Sequence, residues 1–270
     1  MRPTAGSSVA ALATLVLLSL AACAPAEGNA PVASPTATDA APAPTATATA
    51  VPAPDDTSEA GGVPVECETV DLAPGGTVAG EELGPCLQAA LVQADTGTVT
   101  LSGAELGGTV QYRHSPAFAF AGELETGDGA VEMSFIDDVM TLDAGDGPII
   151  ADPESADPDE QLAGITGELY RVFSDPAFIA ELIAAGDTWR IGSEPDEVTP
   201  AGGEPVTATR IESAAPFSWY DIPIEDYTVL VAEDFTPVTA TSTTGFLGRS
   251  ASMTQEFTGI GGPVSIEPVG

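Results

Sequence analysis

The sequence predicts an α+β domain, with a curved, mostly antiparallel sheet covered on one side by helices. Three observations predict it. Apolar residues alternate with a period of two in short runs between Thr98 and Leu142 and again between Thr188 and Glu267. Between these blocks, from Pro158 to Gly186, the apolar period lengthens to that of a helix. Hairpin turns at Thr126–Gly129 and Gly245–Gly248 join alternating runs, as in a mostly antiparallel sheet. Strands, then a helical pair, then more strands define the class.

The elements follow in order. Glu82 to Ala94 reads as a short helix broken by Gly84-Pro85. Thr98–Leu101 and Gly108–Arg113 are β-rich runs bounded by glycines. Pro116–Glu125 places Phe118, Phe120 and Leu124 on one face, and Ala130–Ile136 does the same with Val131, Met133 and Phe135. Thr126-Gly127-Asp128-Gly129 between them is a hairpin turn. Val139–Leu142 is a further short strand. Asp157 before Pro158 reads as an N-cap with proline at N1, opening a helix with Leu162, Ile165, Leu169 and Val172 at helical spacing. Ser174-Asp175-Pro176 stops it and starts a second helix carrying Phe178, Leu182 and Ile183, which Gly186 ends. The remaining strands are Thr188–Ile191, Val206–Ile211, Tyr227–Ala232, Pro237–Thr244, Ser250–Thr258 and Val264–Glu267, with a hairpin at Gly245–Gly248.

Ahead of the domain, residues 1–22 read as an export signal. Arg2 precedes an apolar run from Val9 to Leu20, too short for the roughly 20 residues that span a bilayer and suited to a signal core of about 7–15. Leu20-Ala21-Ala22-Cys23 looks like a bacterial lipobox, with Cys23 as the lipidation site. Acyl chains contribute about 0.8 kcal/mol per buried methylene, so two or three of them make a firm membrane anchor. Residues 23–62 then read as the lipidated cysteine and an unstructured Ala/Pro/Thr-rich tether, and 63–270 as one domain with a single core.

Of 270 residues, 6 are basic and 41 acidic, with no lysine and a formal charge of −35. Such a chain is repelled by nucleic acid, which sets aside that class of partner. Three cysteines occur. With Cys23 given to lipid, Cys67 and Cys86 remain as a pair in an oxidising compartment. A disulfide is the expectation there, worth roughly 3 kcal/mol; two buried free thiols are the alternative.

Catalytic chemistry is sparse. His114 is the one histidine; no Gly-x-Ser-x-Gly elbow accompanies it, and the lack of lysine removes Ser-x-x-Lys. It reads as a strand-end surface residue. One histidine and a paired cysteine couple make no zinc site. The acids from Asp152 to Glu160 lack the spacing of a calcium loop, and no phosphate-cradling loop occurs. The expectation is a protein without catalytic residues, metal or cofactor.

Helices inserted beside a curved sheet can enclose an apolar cavity. On periodicity alone, Phe118, Phe120, Met133, Phe135, Leu169, Phe173, Phe178 and Leu182 read first as a solid core, with a lined cavity as the alternative. The helical pair Leu162–Ala185 is followed by Tyr227-Thr228-Val229-Leu230-Val231 and Asp234-Phe235-Thr236-Pro237-Val238. The Gly245–Gly248 hairpin and Gly261-Gly262-Pro263-Val264-Ser265-Ile266 complete the series. Over residues 88 to 268 this order resembles the LolA-like half-barrel lipoproteins of the LppX/LprG type. That resemblance implies binding or carriage of a lipid or lipoglycan between sheet and helices, with those eight side chains lining the pocket. The Cys67/Cys86 pair and the acidity depart from the pattern. A sensory or protein-interaction module of the cell envelope is the other reading.

Overall fold

The computed structural model describes residues 62–104, 106–127, 129–171, 175–200, 203–246 and 249–270. Cys23, the signal and nearly all of the tether lie outside the described residues, as do Asp128, Phe173 and the Leu247-Gly248 pair of the expected hairpin. After a short 3-10 turn at Val65–Cys67, β1 (Thr77–Ala79) leads into α1 (Gly80–Ala94). A meander follows: β2 (Thr96–Gly103), β3 (Leu106–Arg113), β4 (Ala119–Thr126), β5 (Gly129–Ile136), β6 (Val139–Asp143) and β7 (Ile149–Ile150). Then come α2 (Pro158–Arg171) and α3 (Pro176–Ala185). The second set of strands is β8 (Thr188–Ile191), β9 (Asp196–Val198), β10 (Val206–Ser213), β11 (Phe217–Trp219), β12 (Ile222–Val231), β13 (Pro237–Phe246) and β14 (Arg249–Thr258).

All strands join one open sheet in the order β1-β8-β10-β12-β13-β14-β2-β3-β4-β5-β6-β7, with β9 paired to β10 and β11 to β12. Each pairing is antiparallel. The two halves meet where β14 pairs with β2. This is the half-barrel expected from the sequence: one face is apolar, and α1 and α3 pack over it in a single core. Register rows show how that face is built. Tyr112, Phe120, Phe135 and Met140 stand opposite one another along one row, and Val99, Val110, Gly122, Met133 and Leu142 along the next. At Gly122 a Cβ would meet Thr109 O and Val110 Cα at 2.1 and 2.7 Å. Glycine there lets β3 and β4 approach and bend, a device by which sheets curve.

Several expectations are corrected. Gly84-Pro85 does not break α1, which runs through both. Pro85 lies in the second turn, where the one hydrogen bond it removes is to Glu81. Gly84, like Gly80, lets α3 come close: a Cβ on Gly84 would lie 2.5 Å from Ala180 O, and one on Gly80 2.5 Å from Ile183 O. In α2, Leu162 and Ile165 are 60 % and 41 % exposed, while Ala163 is buried and Gly167 abuts Met140. The small residues face the sheet edge at β6 and β7, because the large ones do not fit so close an approach. Val264–Glu267 forms no strand. Pro263 and Pro268 remove backbone donors, and the tail crosses strands instead, with Ser265 N donating to Gln111 Oε1 and Val269 N to Ser134 Oγ. The expected helix caps are present, Asp157 Oδ1 accepting from Asp159 N and Asp175 Oδ1 from Ala177 N, each at 2.9 Å.

Candidate ligand cavity

α3 owes its position to three local features. Asp175 caps it and Pro176 opens it, Gly84 of α1 admits its backbone, and Trp189 Nε1 donates to the carbonyls of Ile183 and Gly186 at its C-terminal end. So held, α3 buries Ile183 in the core and leaves Phe178, Ile179 and Leu182 facing the strands across a gap. The gap is a cavity of about 290 Å³. Its floor is one register row running Tyr227–Ser242–Met253–Gly103 across β12, β13, β14 and β2, extended by Ile224 and Thr244.

The mouth is formed by the β11–β12 hairpin. Trp219 and Ile222 line the cavity, and the tip residues Tyr220 and Asp221 both adopt left-handed backbone, φ 47° and 64°. That is the conformation of a two-residue type I′ turn, for which Asn-Gly and Asp-Gly are the usual signals. Tyr-Asp carries no such signal, so the sequence reading contains no hairpin here. Trp219 meets Phe178 edge to face at 6.3 Å.

No charged side chain lines the cavity among the described residues. Its polar groups are hydroxyls, a glutamine and the Trp219 indole. Tyr227 is 4 % exposed, and burial pushes its phenol well above the ordinary value. Trp219 Nε1 is buried without a hydrogen-bond partner. Unpaired buried polar groups each cost about 1–3 kcal/mol.

The eight side chains singled out from sequence divide. Phe178 and Leu182 line the cavity. Phe120, Met133 and Phe135 are buried in the meander half, where opposing side chains in the same rows fill the space. Phe120 and Phe135 stack at 5.7 Å, and the Arg171 guanidinium lies 4.7 Å over Phe135. Phe118 is half-buried and stacks on His114 at 5.4 Å. Phe173 and the side chain of Leu169 lie outside the described residues. Sequence reasoning missed Trp219, Ile222, Ser242 and Met253; the alternation of Tyr227, Val229 and Val231 was the one available signal for the strand wall.

His114 is half-buried rather than on the surface, with Nε2 buried and unpartnered. Its backbone N–H donates to Asp95 O, and Ser115 N to Asp95 Oδ1. No hydroxyl is placed for it to activate among the described contacts. Cys67 and Cys86 form the expected disulfide. Among the described residues no cluster of three His, Cys, Asp or Glu can hold a metal ion, and no helix is long and apolar enough to cross a membrane.

The fold and cavity define an open antiparallel half-barrel with an apolar pocket beneath a helix. Among solved structures, LprF from Mycobacterium bovis is similar over 71 % of this chain and 97 % of its own, with 10 % identity and a TM-score of 0.45. A DUF1329 family protein from Desulfovibrio piger is similar over 67 % and 92 %, with 10 % identity and a TM-score of 0.27. At such identity these are likenesses of chain path, and they assign no ligand. No family model matches the chain, and no curated protein sequence matches it.

Proposed function

We propose that this protein is a membrane-anchored lipoprotein of the cell envelope, outside the cytoplasmic membrane, that binds or carries an apolar ligand of lipid or lipoglycan type. The observation that carries the reading is the uncharged cavity between α3 and β12–β14. Wet space walled by Phe178, Leu182, Trp219, Ile224 and Met253 is costly to keep empty of apolar matter. The Leu20-Ala21-Ala22-Cys23 motif supports the anchor, and the Cys67–Cys86 disulfide suits an oxidising compartment. Among the described residues no nucleophile–base pair lines the cavity, which supports a binding role.

Native mass spectrometry of the full chain, purified from host membranes, tests this. A bound apolar mass that leaves on denaturation, and is lost in Ser242→Leu, is the expected result. A ligand-free mass with no uptake from host lipid extract would overturn it. Metabolic labelling with a radioactive fatty acid, expected to mark the protein and not Cys23→Ala, tests the anchor. The second reading, an interaction module, is favoured by the exposed Leu162 and Ile165 on α2. It predicts crosslinks to an envelope protein from that helix and an unoccupied cavity.

A further inference from the structure

We infer that the cavity selects a single uncharged apolar chain bearing an acceptor oxygen, as in an ester or alcohol, and that the Tyr227 hydroxyl recognises that oxygen. This rests on the ligand-binding reading above and narrows it.

Size limits the ligand first. Pockets for small molecules run from about 300 to 1,000 Å³, and this one, at about 290 Å³, stands at the lower edge. One chain, or the end of one, fits; several chains side by side do not.

Charge limits it next. No arginine or histidine is in the described wall. Arg171 lies behind the wall, 5.9 Å from the Phe178 ring centroid, and is neutralised by its pair with Asp175; Arg210 is paired with Asp196. An ionised carboxylate or phosphate inside would meet no counter-charge among the described wall residues, a costly burial. The chain as a whole carries −35, so an anionic headgroup is repelled on approach.

The unpaired polar groups then specify what the ligand must offer. Tyr227, in the floor, makes no side-chain hydrogen bond among the described residues; its backbone N–H is bonded to Ser213 Oγ. Trp219, in the same wall, has its unpartnered Nε1 fully covered, so its ring and not its N–H meets the cavity. Tyr112 also has an unpartnered hydroxyl, but Gly97 and Ile260 close around it and no cavity adjoins. The Tyr227 hydroxyl, a donor in an otherwise apolar wall, matches an acceptor oxygen on an otherwise apolar chain. Ser242, opposite Tyr227 in register, supplies a second hydroxyl.

The test titrates the full chain with 1-decanol, ionised decanoate at pH 8, and hexylbenzene as a probe without oxygen. Tryptophan emission is the readout, since of the two tryptophans Trp219 is in the wall and Trp189 is in the core. Decanol is expected to bind roughly tenfold or more tightly than decanoate. Tyr227→Phe keeps the ring and is expected to weaken decanol about fivefold while leaving hexylbenzene unchanged. Decanoate binding as tightly as decanol overturns the inference in the unmodified chain. So does a Tyr227→Phe effect that is absent or equal for both neutral probes. Hexylbenzene binding with either of those results leaves the apolar-ligand reading standing. Failure of all three probes to bind brings that reading down as well.

Discussion

The Tyr220 hydroxyl, at the tip of the β11–β12 hairpin, donates a 2.7 Å hydrogen bond to Oε2 of Glu181 on α3. It ties the two elements that flank the cavity mouth, beside the Trp219–Phe178 ring contact. Tyr220 itself is 68 % exposed, so the bond adds little to global stability. Its effect is on opening of the mouth. Tyr220→Phe is expected to release a bound apolar probe several-fold faster in stopped-flow displacement, with an unchanged unfolding midpoint. The Glu181 hydrogen bond holds the Tyr220 phenol above its ordinary value. A raised value means the contribution is intact at neutral pH and lost only as alkali ionises the phenol, so release should not vary between about pH 6 and 9. Equal release rates in the two proteins would show that the mouth opens elsewhere.

Close approach of α1 to α3 through Gly84 makes a sharper demand. A Cβ there would lie 2.5 Å from Ala180 O and 3.3 Å from its carbonyl carbon, and backbone atoms cannot step aside. Gly84→Ala is expected to cost about 1–3 kcal/mol by forcing the helices apart. For a domain of this size that lowers Tm by roughly 2–12 °C. Gly107→Ala is the control, because its Cβ would find only Leu101 O, at 3.5 Å. Calorimetry of the two variants should separate them clearly; similar melting points would mean that α3 tolerates displacement.

These glycines also show what a sequence can and cannot disclose. The runs containing Phe120 and Leu124, or Val131, Met133 and Phe135, foretell β4 and β5 because alternation is a local property. Asp157 and Asp175 foretell helix starts for the same reason. The helix through Gly84-Pro85 reads as broken, since local propensity disfavours it and only the fit against Ala180 explains the glycine. Leu162 and Ile165 have helical spacing, yet that pattern cannot say which face the sheet edge will admit. The cavity floor is least legible: Gly103, Ser242 and Met253 meet only through strand register between distant segments. Phe178 and Leu182 are found because a helix stripe signals an inward face, while Trp219 sits behind a turn without turn residues.

The disulfide links the Val65–Cys67 turn to α1, and both sulfurs are buried. Since α1 braces α3, loosening this corner reaches the cavity. Reduction, or the double change Cys67→Ala/Cys86→Ala, is expected to cost roughly 3 kcal/mol, a fall in Tm of about 6–12 °C. Urea unfolding with and without reductant measures it. Alkylation of the folded chain before reduction should label neither cysteine; a labelled Cys67 or Cys86 would show that the bond is not formed.

His114 gives the stability a pH dependence of definite sign. Burial lowers its pKa from the ordinary 6.5, outweighing the opposing pull of Asp95 and Asp175. The folded chain therefore binds a proton there less readily than the unfolded chain. Its contribution is complete above about pH 6.5 and declines as pH falls through the lowered folded value. Acid also relieves the repulsion within a chain of −35, so the wild-type profile alone mixes two opposing trends. Subtracting the profile of His114→Phe, which keeps a ring against Phe118, cancels the repulsion. The wild type is expected to lose Tm relative to the variant between about pH 7.5 and 5, and parallel profiles would show that His114 is as easily protonated folded as unfolded.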